Sequence, residues 1–111
     1  MNPATDEQVQ ELAATAKPYT LVQLSWAPGR HQDGADAIER AHQRRMVSLH
    51  AEGTIAVLCP VQSEELCGVA IMTQPLEQAR RTMATDPCVQ AGMMTVDVLP
   101  CVGFPGDSLP G

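Results

Sequence analysis

The sequence predicts an α+β domain carrying one four-stranded antiparallel sheet. Three observations lead there. Apolar and β-branched residues gather in four runs of strand length, over 19–26, 54–59, 67–72 and 93–99. Stretches with helical periodicity, one from near Asp36 to Glu52 and one starting at Thr73 or Gln74, separate the first strand from the second and the third from the fourth. The second and third strands are joined only by the short polar segment Val61 to Leu66, which favours an antiparallel pair. The resulting order, βαββαβ, is the split β-α-β arrangement called ferredoxin-like, with both main helices on one face of the sheet.

Each element has its own local reason. Thr5 is placed to cap a helix from about Asp6 to Ala16, with Asp6 and Glu7 in its first turn and Lys17-Pro18 ending it. In the first strand, Leu21 and Gln23 point one way and Val22, Leu24 and Trp26 the other. Pro28-Gly29 breaks that strand and leads into a polar loop. The main helix begins near Asp36, capped by Asp36 with Glu39 three residues on, or by Asp33. Gly53 suits the left-handed position after its last turn. Pro60 limits the second strand or marks a bulge. Pro75 falls in the first turn of the next helix, whose apolar stripe is Leu76, Ala79 and Met83. Asp86-Pro87 opens a separate short turn through Ala91 that Gly92 closes, and Pro100 stops the fourth strand. The chain divides into an N-terminal helical extension (1–17), a core domain (18–100) and a Pro/Gly-rich tail (101–111), expected to be extended and partly disordered unless a partner holds it.

Composition excludes several classes. A net charge of −6 lacks the clustered basic surface of a nucleic-acid binder, and Tyr19, Trp26 and Phe104 are the only aromatics for base stacking. The basic cluster Arg40, Arg44 and Arg45 reads as a solvated helix edge. The polar, acidic N-terminus has no signal-peptide pattern, and no apolar run reaches the length of a membrane span. The expectation is a cytoplasmic protein with reduced thiols and no membrane partner. The four cysteines, Cys59, Cys67, Cys88 and Cys101, show no C-x-x-C pair and no zinc-ligand spacing, so no metal or cofactor is expected. Cys59 and Cys67 have the separation to face each other across a hairpin, although a cytoplasmic setting disfavours a disulfide.

The chemically informative residue is His42. It shares a helical face with Ile38, Ala41, Met46 and Leu49, four residues from Ile38 on one side and Met46 on the other. By spacing alone this is a core histidine bonded to a backbone carbonyl. With a carboxylate on one ring nitrogen it becomes a general acid or base. His50 belongs at the helix end and His31 in a loop. Met72, Met93 and Met94 are core filler or a soft pocket lining, and Cys59 is a structural thiol with no base beside it.

Taken together, several pieces resemble the YCII-related (YciI-like) family. They are the strand starting at Tyr19, His42 with Leu49-His50-Ala51-Glu52-Gly53 after it, Gly68 in the third strand, Asp86-Pro87 leading to Gly92, and a last strand closing on Pro100. The resemblance spans roughly Pro18 to Pro100 and rests on motif order. Cys59-Pro60 stands where the family often has Gly-Pro, and Cys101 where an aromatic residue is common. The resemblance implies a dimeric α+β barrel, similar to the muconolactone isomerase-like proteins, formed by two sheets in a homodimer. It also implies a catalytic histidine and aspartate, at His42 and Asp86.

Two functions follow. One is a cofactor-independent lyase or isomerase that moves a proton beside a carbonyl, isomerises a lactone or eliminates a group such as chloride from a small organic molecule. The other is a non-catalytic dimeric module that binds a small ligand or regulates a partner. A solvent-open pocket holding both side chains favours the first; a buried His42 facing only apolar atoms favours the second.

Overall fold

Alternation of buried and half-exposed positions sets the sheet. In the structure, a computed structural model describing residues 2–111, strand β1 (Lys17–Trp26) buries Thr20, Val22 and Leu24 and turns Tyr19, Leu21 and Gln23 to the opposite face. β3 (Leu66–Met72) alternates in the same way, with Gly68, Ala70 and Met72 buried. The sheet is completed by β2 (Ile55–Pro60) and β4 (Met94–Gly103), in the spatial order β2-β3-β1-β4 with every pair antiparallel. Together with the helices α2 (Ala35–Ala51) and α3 (Leu76–Ala84), this gives the expected βαββαβ, ferredoxin-like α+β arrangement. Among the described residues, no helix is long and apolar enough to cross a membrane.

The core lies between one sheet face and the helices. Val22, Leu24, Ile55, Ala70, Met72 and Met94 meet Met46 from α2, Ala79 and Met83 from α3, and Cys88 and Met93 from the segment that follows. Thr20 is polar and almost wholly buried there, and its hydroxyl donates to the Gln74 carbonyl at 2.8 Å. The other sheet face carries the row Val57, Ile71, Leu21 and Leu99, one residue from each strand in register.

Several boundaries differ from the expectations, each for a local reason. Helix α1 (Asp6–Ala13) carries the Thr5 cap, reinforced by Gln8 bonding back to the Thr5 amide, but stops short of Ala16 and buries no residue. Lys17 and Pro18 belong to β1, pairing with Gly103 and Val102 beyond the reach of β3, so the missing proline donor costs nothing on that side. Neither Asp36 nor Asp33 caps α2. Gly34 does, with φ 79° and no side-chain bond, because a 3₁₀ turn (Pro28–His31) delivers the chain to the helix in a left-handed conformation. α3 starts at Leu76, with Pro75 outside it. Pro100 lies inside β4 and does not stop it, because β4 is an edge strand, where a proline needs no ladder partner; Pro60, as expected, is the last residue of β2. The tail is accordingly ordered through Gly103, and Phe104 is half-buried beyond it. Cys59 pairs with Val69, and the Val61 amide bonds the Cys67 carbonyl, so the two cysteines are offset along the hairpin and do not face each other.

The 3₁₀ turn is tied to the far end of the domain. Arg30 stacks on Trp26, 3.9 Å from the ring centroid. The Gln32 side-chain Nε2 donates to the Ala91 carbonyl at 2.8 Å, and the Ala27 backbone amide to the Met93 carbonyl at 2.9 Å. Gly29 makes this fit possible: a Cβ there would stand 2.5 Å from the Gly92 carbonyl oxygen, which is backbone and has little room to move. Gly29→Ala is therefore expected to cost about 1–3 kcal/mol through overpacking, read as a lower urea midpoint with an unchanged slope. A midpoint equal to wild type would show that the two segments are not in contact.

Candidate functional site

Helical spacing on α2 aims His42 and Met46 inward, one turn apart, and both are buried. Asp86 arrives from a different direction. It follows α3 and caps α4 (Pro87–Gln90), accepting from the Cys88 amide at 3.0 Å and the Val89 amide at 3.4 Å through Oδ2, with Pro87 in the first helical turn. The Gln90 amide returning to the Asp86 carbonyl, at 2.9 Å, closes this turn. The carboxylate is fully buried.

These two elements bring the expected pair together. His42 Nδ1 lies 2.8 Å from both Asp86 Oδ1 and Oδ2. An ionised carboxylate only accepts, so Nδ1 is the donor and Nε2 holds the lone pair in the neutral ring. Capping and histidine binding coexist because two carboxylate oxygens have room for several donors.

The His42 ring also forms part of the wall of a cavity of ≈ 190 Å³ between α2, β2 and β3. Its apolar walls come from Leu24, Met46, Val47, Leu58 and Val69, and Gln43 adds a polar side chain. Gly68 and Pro60 lie across from each other in the β2–β3 ladder and both line the cavity; a Cβ at Gly68 would stand 3.3 Å from the Cys59 carbonyl oxygen. Asp86 is not part of the wall and sits behind the histidine. The arrangement thus meets neither condition set out above in full: the cavity is lined by His42 but not by Asp86, and the buried His42 contacts a carboxylate as well as apolar walls.

Other sequence assignments are redistributed. Met72, Met93 and Met94 are buried in the core and none lines the cavity; Met46 does so instead. His31 and His50 are exposed, in the 3₁₀ turn and the last turn of α2. Cys59 and Cys67 both reach the cavity wall. Arg40 and Arg44 are exposed as expected, but Arg45 is not a solvated edge residue. Its Nη2 donates to the Thr82 carbonyl at 2.6 Å and the Thr85 hydroxyl at 2.9 Å, and its Nη1 lies 3.7 Å from Asp86 Oδ1. The available signal was its position three residues after His42, which puts the two side chains on neighbouring parts of α2.

Sequence spacing gave no hint of one further cluster. His42, Asp86 and Cys88 are all buried, with ligand atoms within 4.8 Å of one another. Burial, then the neighbouring Asp86 and Glu39 charges, push the Cys88 thiol up to about 12, so it is no ready thiolate at neutral pH. The Arg45 guanidinium adds a positive charge beside the same carboxylate. No family model matches the chain, and no curated protein matches it.

The thiols give a testable pH dependence. Burial also raises Cys67, to about 11, with Glu39 adding to the effect and Arg30 opposing it. A raised thiol pKa means that the folded chain keeps protons that the unfolded chain releases above its own value of 9.0. The stability from Cys67 and Cys88 is therefore complete below about pH 9 and declines as pH climbs toward 11 and 12. Urea unfolding at pH 8 and pH 10 should show the lower stability at pH 10, with a shallower fall in Cys88→Ala. Mass spectrometry after iodoacetamide should find exposed Cys59 labelled first and Cys88 last; early labelling of Cys88 would contradict its burial.

Proposed function

We propose that the protein is a cofactor-independent lyase or isomerase for a small organic molecule, with His42 as the proton-transferring group and Asp86 as its orienting partner. The observation that carries the reading is the 2.8 Å His42–Asp86 contact behind a ring that lines a cavity. The cavity, at ≈ 190 Å³, is smaller than the roughly 300–1,000 Å³ typical of drug-sized ligands, which favours a compact substrate. In the reaction, Nε2 takes a proton from carbon beside a carbonyl. The electron pair left behind either accepts the proton back at another carbon, giving an isomer, or forms a double bond as a leaving group such as chloride departs. The Asp86 carboxylate stabilises the imidazolium formed on the way. The same contact, in the same order of elements, supports placing the chain among YciI-like proteins.

Deuterium washout tests this directly. Small unsaturated lactones and β-chloro carbonyl compounds, incubated with the protein in D₂O, should exchange the hydrogen beside the carbonyl or lose chloride, with proton NMR as the readout. His42→Asn should slow the reaction by about 10²–10⁴-fold. The mainly apolar wall favours a second reading, a binding module. Ligand-induced shifts at Val47 and Val69 with no exchange or elimination in any compound would select that reading and reject the enzyme.

The reading includes a homodimer. Val57, Ile71, Leu21 and Leu99 form an apolar row across the sheet face away from the helices, and Leu99 is 49% exposed. A second copy of the same face suits such a surface and gives the two-sheet barrel of the resembled family. Sedimentation at micromolar concentration should give about twice the 11.9 kDa chain mass, and Ile71→Lys should halve it. A wild-type monomer would remove the dimer from the proposal.

A further inference from the structure

Arg45 contains the one buried side-chain nitrogen or oxygen among the described residues that lacks a hydrogen-bond partner, its Nη1. The atom is not loosely placed. Nη2 of the same guanidinium is held by the Thr82 carbonyl and the Thr85 hydroxyl, both at the end of α3. This clamp leaves Nη1 at 3.7 Å from Asp86 Oδ1, too long for a hydrogen bond but close for a charge in a buried setting. Asp86 meanwhile has its short contacts from His42 and the Cys88 amide. One buried carboxylate thus faces two cationic candidates, and only one of them is able to be neutral at pH 7.

We propose that Arg45 is a positioning residue for the His42–Asp86 pair. Its guanidinium holds Asp86 as the anion, so that His42 rests as the neutral imidazole, with its proton on Nδ1 and its lone pair on Nε2. Asp86 and Arg45 already sum to zero charge. A resting imidazolium would leave a net positive charge in the site, whereas a neutral ring still donates to Asp86 through Nδ1. The remaining titratable groups around the pair differ in their effect. Cys88 on α4 and Cys67 on β3 are protonated, pushed up to about 12 and about 11 by burial. Cys59 on β2 lies in the cavity wall with Cys67. Glu39 on α2 acts on both Cys67 and Cys88, and Arg30 in the 3₁₀ turn opposes it at Cys67 only and by less, so Glu39 works against the neutral ring and Arg45, beside Asp86, has to outweigh it. Arg45 thereby makes His42 a ready proton acceptor at rest and leaves Asp86 to stabilise the imidazolium only after the proton has arrived. Lysine carries the charge but not the planar fork that bonds Thr82 and Thr85 while facing Asp86.

The proposal rests on reading His42 as the proton acceptor of the site, but its test needs no substrate and so fails separately from the reaction itself. Ring nitrogen shifts of His42, read by ¹⁵N NMR at pH 7, report both tautomer and charge. Wild type should show a mainly neutral ring protonated at Nδ1. Arg45→Met should raise the ratio of charged to neutral ring by about tenfold. Arg45→Lys, which keeps the charge but not the fork, should return the ratio part of the way to wild type, and Thr85→Val, which removes half of the clamp, should shift it in the same direction as Arg45→Met but by less. A purely structural arginine would lower stability in Arg45→Met without moving the ratio, and that result overturns the proposal. If Arg45→Met does not fold, Arg45→Gln, which keeps a donor for the Thr82 carbonyl, is read in the same way. The wild-type spectrum decides in any case, since a doubly protonated His42 at pH 7 overturns the proposal without any variant.

Discussion

One buried carboxylate organises this end of the molecule. Asp86 has no exposure to water, and an uncompensated charge in that position would cost several kcal/mol. The chain surrounds it from two directions. The start of α4 supplies the Cys88 and Val89 amides, and α2 supplies the His42 ring and the Arg45 guanidinium. The charge therefore does what a hydrophobic contact does not: it fixes the rotation of α2 about its own axis relative to the α3–α4 junction. A sliding apolar interface tolerates small shifts, but a 2.8 Å contact to both carboxylate oxygens does not.

That fixed rotation has consequences for the cavity. With His42 and Met46 turned inward, Gln43 and Val47 on the adjoining side of the helix come to line the same space. Across from them, Gly68 and Pro60 meet in the β2–β3 ladder, and Gly68 adds no side chain to that wall. The cavity results from a helix that presents its histidine and a sheet that leaves room opposite. Apart from His42, Gln43 and the thiols of Cys59 and Cys67, its walls are hydrocarbon, so any polar step inside depends on few groups. In such surroundings the charge balance among His42, Asp86 and Arg45 matters more than it would in water, because screening is weak.

The sheet has two unlike faces. One is closed by α2, α3 and the α4 segment, with methionines filling irregular gaps between aliphatic side chains. The other presents an apolar row with no helix over it. The edge strands include prolines at Pro60 and Pro100, which remove donors that would otherwise invite another strand to pair. Both edges are thereby less suited to pairing with a further strand. The α1 helix, with no buried residue, plays no part in the core.

Much of this was legible in the residues alone, because the signals were local. Strand alternation in 19–26, the glycine after Glu52, the Asp86-Pro87 cap and the inward face bearing His42 each depend on a few neighbouring residues, and each is found as read. Errors arose where distant chain decides. Asp36 and Asp33 are both chemically able to cap α2, but the 3₁₀ turn tied to Ala91 and Met93 brings the chain in through Gly34. Pro100 breaks a central strand but not an edge strand, and which strand is the edge depends on the order β2-β3-β1-β4. The site shows the same division. The sequence by itself put an imidazole on the inner face of a helix and a carboxylate at the start of a turn. Only the tertiary structure brought them to 2.8 Å across 44 residues, turned Arg45 from an apparent surface charge into a neighbour of that carboxylate, and placed Cys88 against both. The physical reason is that charge pairing and burial depend on what packs nearby in space, and helical periodicity describes only what lies on the same helix.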